Sequence, residues 1–248
     1  MLIAVNARTL PDQADTDRLR AAGIGGVELL IADEGRLTFE TPLVDCRELA
    51  NRAASLNLKI TSLATQAFWE VNYADPDERR RRRAIDITMS MLERAAVLGA
   101  AAVLVMPAVV GLDDDMRPRV AYSDALSRSF EALCGLRESA EAFGVTIAVV
   151  NASNRFLLSP AEFADLIDRV NSAYVGVGLD VEAVMRIGYP ADWIHTLGGR
   201  LKCVHVENRD CMAPGDTVRD ALRRAGYEGP VVYVGRNDPL EAVGGWKG

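Results

Sequence analysis

The sequence predicts a (β/α)8 barrel, an α/β fold of eight parallel strands. Three apolar runs each end in a polar residue: TIAVVN at 146–151, VGVGLD at 175–180 and LKCVHVENRD at 201–210. Helical segments lie between them, and polar residues at the carboxyl ends of parallel strands line one rim of such a barrel. A length of 248 residues is usual for one barrel. We therefore expect a single domain over residues 1–248.

The amino-terminal half alternates strands with helices. Short apolar runs predict strands at 2–6, 27–31, 59–64 and 102–106. Helical spacing of apolar residues predicts helices at 16–22, 43–56, 76–98 and 122–143. The third helix has the clearest start signal, because Asp75 is a good cap and proline suits the first helical position, where Pro76 falls.

The carboxyl-terminal half continues the alternation. Strands are expected at 146–151, 175–180, from 201 onwards and at 231–234, with helical pieces at 159–170, 181–187, 191–197 and 217–225. The tail 237–248 is short and contains three glycines, so the last helix is predicted to be short or incomplete.

Charge and composition argue against several classes of partner. The net charge is −7, which offers no basic field for nucleic acid. The arginines Arg79–Arg83 spread around a helix and are partly offset by nearby acids. No apolar run reaches the roughly 18 residues of a membrane span, and the amino terminus lacks a secretory pattern. Four cysteines without CxxC spacing fit reduced thiols, so we expect a cytoplasmic protein.

Several runs carry a family resemblance. They are NRFLLSPAEFADLID at 154–168, VGVGLD at 175–180, GYPADWI at 188–194 and HV at 205–206. The chain resembles the sugar phosphate isomerase/epimerase group of xylose isomerase-like TIM barrels, and within it the hexulose- or pentulose-phosphate 3-epimerase-like proteins. The resemblance implies a sugar or sugar phosphate substrate, a divalent cation (Mn, Mg, Co or Zn) and a homodimer.

The resemblance also implies a set of cation ligands. Family members bind the cation through a Glu ending strand five, an Asp ending strand six, a His on strand seven and a Glu ending strand eight, and the two glutamates move the substrate proton. Asp180 matches the aspartate and His205 the histidine, whereas Val150 and Val234 fall on the glutamate positions. Two remaining ligands predict a degenerate site in which cation binding is weak or lost.

Other residues at the predicted rim are candidates for a rebuilt site. Glu207 has the strand parity of His205, and these two residues are the predicted acid–base pair. Glu182 and Glu28 are further carboxylates. The predicted substrate-binding residues are Trp69, Asn151, Arg155 and Arg209. Several of the candidate residues also have a purely structural interpretation. In that interpretation Asp180 is a helix cap, His205 is a core histidine, Trp69 belongs to a packed loop, and the arginines are surface charges.

Three functions stay open at this point. The chain is an epimerase with a rebuilt cation site, a metal-free lyase or dehydratase, or a non-catalytic carbohydrate-binding or regulatory barrel. Because a valine side chain neither binds a cation nor exchanges a proton, the first function requires a metal bound by Asp180, His205 and a substitute carboxylate. The metal content of the purified protein separates it from the other two.

Overall fold

Eight parallel strands close into a barrel in chain order. The structure is a computed structural model that describes residues 1–112, 114–115, 117–207, 218–235 and 238–240. The strands are β1 Leu2–Ala7, β2 Gly26–Leu30, β3 Lys59–Ala64, β4 Ala102–Val105, β5 Thr146–Val150, β6 Val175–Asp180, β7 Leu201–Val206 and β8 Pro230–Tyr233. The predicted fold class is confirmed.

Helices of the described chain lie outside the barrel, between successive strands. They are α1 Gln13–Ala21, α2 Leu43–Ser55, α3 Glu78–Leu98, α4 Tyr122–Phe143, α5 Pro160–Val170, α6 Val181–Met185, α7 Pro190–Leu197 and α8 Val218–Arg224. Their apolar faces and the outer faces of the strands form one large hydrophobic core. The predicted short closing helix falls mainly on residues 241–248, which are outside the described residues.

Local capping chemistry sets the helix starts. Helix α3 begins at Glu78 rather than at Pro76 as predicted, because Asp77 is the cap and accepts a hydrogen bond from the Arg79 amide at 2.8 Å. Asp75 instead accepts from the Asp77 amide and pairs with Arg80. The predicted bounds of β3, α4 and β6 are confirmed.

The barrel interior holds a second, smaller hydrophobic cluster. Its buried members come from alternate positions of six strands: Ala4, Ala64, Ala102, Leu104, Ala148, Cys203 and Val232. Most are small, and alanine side chains leave space in which longer side chains from other strands can meet. Residues two positions further along these strands, such as Asn6 and His205, share the inward parity.

No helix of the described residues is long and apolar enough to cross a membrane.

Candidate functional site

A buried carboxylate on β2 is the centre of the interior polar cluster. Glu28 is fully buried, and its Oε1 accepts a hydrogen bond from Asn6 Nδ2 at 2.8 Å. Its Oε2 accepts from Ser62 Oγ at 2.7 Å and lies 3.0 Å from His205 Nε2. Asn6 and Ser62 stand in register with Glu28 on the flanking strands. Strand register alone therefore explains two of the three hydrogen-bond partners that the buried Glu28 carboxylate has.

His205 reaches Glu28 across the barrel. Between β7 and β2 in strand order lie β8 and β1, which carry Val232 and Ala4 in register with His205. These short side chains let the imidazole cross the interior. The His205 side chain keeps 13% of its surface exposed, whereas that of Glu28 has none. His205 is thus the member of the pair that connects the buried cluster to solvent.

Each partner shifts the pKa of the other. Burial opposes the charged imidazole, but the Glu28 charge and hydrogen bonds to Cys203 and Glu28 outweigh it and raise the pKa of His205 well above its ordinary value. Burial also opposes the Glu28 carboxylate, yet His205, Ser62 and Asn6 together lower the pKa of Glu28. The two residues therefore form an imidazolium–carboxylate pair near neutral pH.

Cys203 completes the cluster from the same face of β7. It is fully buried, and its sulfur, an imidazole nitrogen of His205 and a carboxylate oxygen of Glu28 all lie within 4.8 Å of one another. Burial raises the pKa of the Cys203 thiol. A buried, protonated thiol is a poor nucleophile, so Cys203 does not have the character of a catalytic cysteine.

Asn151 and Asp180 form a separate structure at the ends of β5 and β6. Asn151 Oδ1 accepts from the Asp180 amide at 3.0 Å, and Asn151 Nδ2 donates to the Asp180 carbonyl at 3.2 Å. Asp180 Oδ1 in turn accepts from the Ala183 amide at 3.0 Å and caps α6. The Asn151 side chain is therefore engaged with backbone, and one Asp180 oxygen serves the cap that the sequence offered as an alternative.

Valines occupy the two positions at which the family resemblance implies glutamates, and their side chains face the barrel interior. Val150 and Val234 both pack against the interior cluster. A Cβ on Gly178, the register partner of Val150, would lie 3.1 Å from Val150 Cγ2, so the valine points towards β6. The amide of Val234 donates to the Val206 carbonyl at 3.0 Å and prolongs the β7–β8 ladder.

These residues do not fit a four-ligand cation centre. Of the four implied positions, two are hydrocarbon, Asp180 caps a helix and His205 Nε2 is paired with Glu28. A hard divalent cation needs several oxygen ligands or keeps most of its water. The pattern that the resemblance implies is therefore incomplete in this chain.

The remaining predicted site residues are dispersed. Trp69 lies in a short 3-10 helix and is partly buried against the outer core. Arg155 is half-buried with φ of 56°, and its side chain lies beside Gly111. Glu207 directly follows β7 and is exposed. Arg209 lies outside the described residues.

The structure reveals three cluster members that the sequence analysis did not select: Asn6, Ser62 and Cys203. A usable signal existed, since all three occupy inward parity on predicted strands. By contrast, the aromatic residues Phe68 and Tyr73 of the segment after β3 are buried, their ring centroids lie 6.2 Å apart, and the Tyr73 hydroxyl hydrogen-bonds with Thr88. They belong to the core.

A cavity opens at the ends of β1, β2 and β3, and its lining does not include Glu28 or His205. It has a volume of about 370 Å³. Its wall includes Leu30, which also packs against the interior cluster, and three guanidinium groups, those of Arg8, Arg36 and Arg83. Pockets of this size accommodate small ligands. The cavity therefore lies next to the strand that carries Glu28.

Comparison with known proteins identifies the family. The xylose isomerase-like TIM barrel family matches residues 16–246, so the chain belongs to that family. A comparison with curated protein sequences found no match.

Solved structures share the fold. D-Psicose 3-epimerase from Clostridium cellulolyticum, crystallised with D-tagatose, is 18% identical with a TM-score of 0.75, covering 100% of this chain and 90% of that chain. The 3-keto-D-glucoside 4-epimerase from E. coli is 17% identical with a TM-score of 0.78 over 98% and 96%. An AP endonuclease, family 2, from Brucella melitensis is 19% identical with a TM-score of 0.72 over 98% and 96%.

Proposed function

We propose that this chain is a sugar isomerase- or epimerase-like protein that transfers protons without a four-ligand cation centre. Its substrate is a sugar or sugar phosphate bound at the carboxyl-terminal rim. The observation that carries the proposal is the Glu28–His205 pair, a single imidazole held by a buried carboxylate and partly exposed to solvent. An imidazole oriented by a carboxylate is a common arrangement for acid–base catalysis.

In this proposal His205 is the acid that donates a proton to the sugar oxygen. Glu28, anchored by Asn6 and Ser62, fixes the orientation of the ring and stabilises its protonated form. Glu207, exposed directly after β7, is the proposed base that removes the proton beside the carbonyl. Asn151 would hold Asp180 in place rather than contact the sugar, because both ends of its amide already bond the Asp180 backbone.

The cavity at the ends of β1 to β3 is the proposed sugar site. Arg8, Arg36 and Arg83 line it together with Asp33, Glu34 and Glu70, and Arg83 pairs with Asp33 at 3.6 Å. Guanidinium groups suit a phosphate on the substrate, and carboxylates accept hydrogen bonds from sugar hydroxyls. Trp69, Arg155 and Arg209 stay proposed substrate contacts. A homodimer and a cytoplasmic location also stay predictions, and light scattering after size-exclusion chromatography tests the dimer.

The test is proton exchange measured by NMR in D2O. The protein is incubated in EDTA with a panel of ketoses and ketose phosphates, and deuterium incorporation beside the carbonyl is followed. We expect EDTA-resistant exchange with at least one sugar, lowered by about 10²–10⁴-fold in His205→Asn. His195→Asn is the matched control, because His195 lies on α7 outside the barrel. Exchange that EDTA abolishes and Mn²⁺ restores would overturn the metal-free mechanism.

A second candidate is a barrel that binds a sugar without turning it over. Val150 and Val234 favour it, because both positions implied to move the proton carry hydrocarbon side chains packed in the interior cluster. Saturable binding of a ketose, with no deuterium incorporation in any sugar of the panel, selects this candidate over the enzyme.

A further inference from the structure

Three side chains with different ligand atoms converge inside the barrel. A thiol (Cys203), an imidazole (His205) and a carboxylate (Glu28) place their ligand atoms within 4.8 Å of one another. Four-coordinate zinc, with bonds of 2.0–2.3 Å to such ligands, separates them by about 3.3–3.8 Å. Only small movements of the side chains are therefore needed to surround an ion.

We propose that Glu28, Cys203 and His205 form a binding site for a thiophilic divalent cation, Zn²⁺ or Co²⁺. The inference stands independently of the proposed sugar chemistry. The site also differs from the cation centre implied by the family resemblance, since it uses β2 and the deeper Cys203 position, and shares only His205. Thiolate, imidazole and carboxylate are the usual zinc ligands.

Charge balance supports a divalent ion at this depth. Cation binding displaces the thiol proton of Cys203 and one imidazolium proton of His205 to solvent. The resulting thiolate and the Glu28 carboxylate carry two negative charges, and with the neutral imidazole they make a neutral complex with one divalent cation. A neutral complex limits the penalty of burying charge, which is severe for unpaired ions. Glu28 and Cys203 are fully buried, so this balance matters here.

The surroundings supply a further ligand and an entry route. Ser62 Oγ lies 2.7 Å from the Glu28 oxygen that faces His205, and its hydroxyl or a water can fill the fourth position. Asn6 holds the other carboxylate oxygen, as an outer partner does for a ligand in metal sites. The exposed part of His205 gives access from the rim.

The Cys203 thiolate determines which divalent cations the proposed site prefers. Soft ligands favour Zn²⁺ and Co²⁺ over Mg²⁺ and Mn²⁺, which prefer carboxylate, carbonyl and water oxygen. Cation binding occupies the same His205 and Glu28 that the proposed proton transfer uses, so Zn²⁺ is expected to inhibit any EDTA-resistant exchange.

Cobalt spectroscopy tests the site directly, without an activity assay. The purified full chain is treated with chelator, desalted and titrated with Co²⁺, and the near-ultraviolet thiolate-to-cobalt charge-transfer band is recorded. The triple variant Cys46→Ser/Cys134→Ser/Cys211→Ser, in which Cys203 is the only thiol, should keep the band. Cys203→Ser, which retains the other three thiols, should lose it.

A second variant keeps the test decisive if Cys203→Ser does not fold. Glu28→Gln preserves the side-chain shape but removes a charged ligand. Loss of a residue that only hydrogen-bonds a metal ligand lowers metal affinity by about 10–100-fold, so Glu28→Gln should weaken Co²⁺ binding by at least that factor. Circular dichroism of each variant checks folding. The absence of the band in the triple variant, or its persistence in Cys203→Ser, would overturn the proposal.

Discussion

The two halves of the barrel interior differ in chemistry. On the side that runs from β7 through β8 and β1 to β3, Asn6, Glu28, Ser62 and His205 form a connected hydrogen-bond network. On the side of β4 and β5 the interior positions carry hydrocarbon, namely Ala102, Leu104, Ala148 and Val150. The connected polar network of the described interior is therefore centred on Glu28 of β2. A shared fold does not fix where the chemistry lies.

The largest expected effect comes from breaking the polar half. Glu28→Leu should lower the free energy of unfolding by about 3–5 kcal/mol, because His205, Asn6 and Ser62 lose their acceptor in a buried setting. Urea denaturation measures the change.

The double variant Glu28→Leu/His205→Leu sharpens this prediction. Replacing both members of a buried ion pair by hydrophobic residues often costs less than removing one. We expect the double variant to be more stable than Glu28→Leu alone. A loss under about 1 kcal/mol in the single variant would show that the pair does not hold the interior together.

A smaller effect is expected at the boundary between the halves. Asn151→Ala removes two hydrogen bonds to the Asp180 backbone, with an expected cost of about 1–3 kcal/mol for buried groups left unsatisfied. Asp180→Ala removes only the helix cap and should cost about 0.5–2 kcal/mol. Thermal melting compares the two. If Asp180→Ala is much the more damaging, Asp180 has a structural role beyond capping.

The smallest effect concerns an exposed ion pair outside the barrel. Hydrogen bonding from Arg200 lowers the pKa of Asp168, and both side chains are substantially exposed. A lowered pKa gives stability that is present above the ordinary value of about 3.9 and is lost as the pH falls through the folded value. Asp168→Asn should cost no more than about 1 kcal/mol at neutral pH, and acid and salt should both shrink the difference. A difference that grows in acid would contradict this sign.

Much of the fold was predictable from sequence because local residue patterns indicate the strands and helices. The runs at 59–64 and 175–180 are bounded by turn residues, and their predicted ends agree with β3 and β6. The start of α3 was predicted wrongly, since Asp75 and Asp77 are both good caps and only the folded turn decides between them.

The interior cluster was much harder to predict. The contact of His205 with Glu28 joins residues far apart in the chain and across two intervening strands, so it depends on barrel closure and on the small side chains between them. The inward placement of Val150 follows from strand parity alone and was accessible from sequence. Strand parity also indicates inward positions for Asn6, Ser62 and Cys203, but only the register of the closed barrel brings them to Glu28 and His205.

The most direct test of the central claim is the Mn²⁺ dependence of the melting temperature. Val150→Glu/Val234→Glu places carboxylates at both implied ligand positions, and without metal their repulsion near Asp180 should cost about 1–3 kcal/mol. Mn²⁺ should reverse that loss, with about 2.7 kcal/mol expected at a hundredfold excess over Kd. We expect a strong Mn²⁺-dependent rise in the melting temperature of the double variant and none in the wild type. An equal shift in the wild type would contradict it, because the chain would then already hold a working oxygen-rich cation centre.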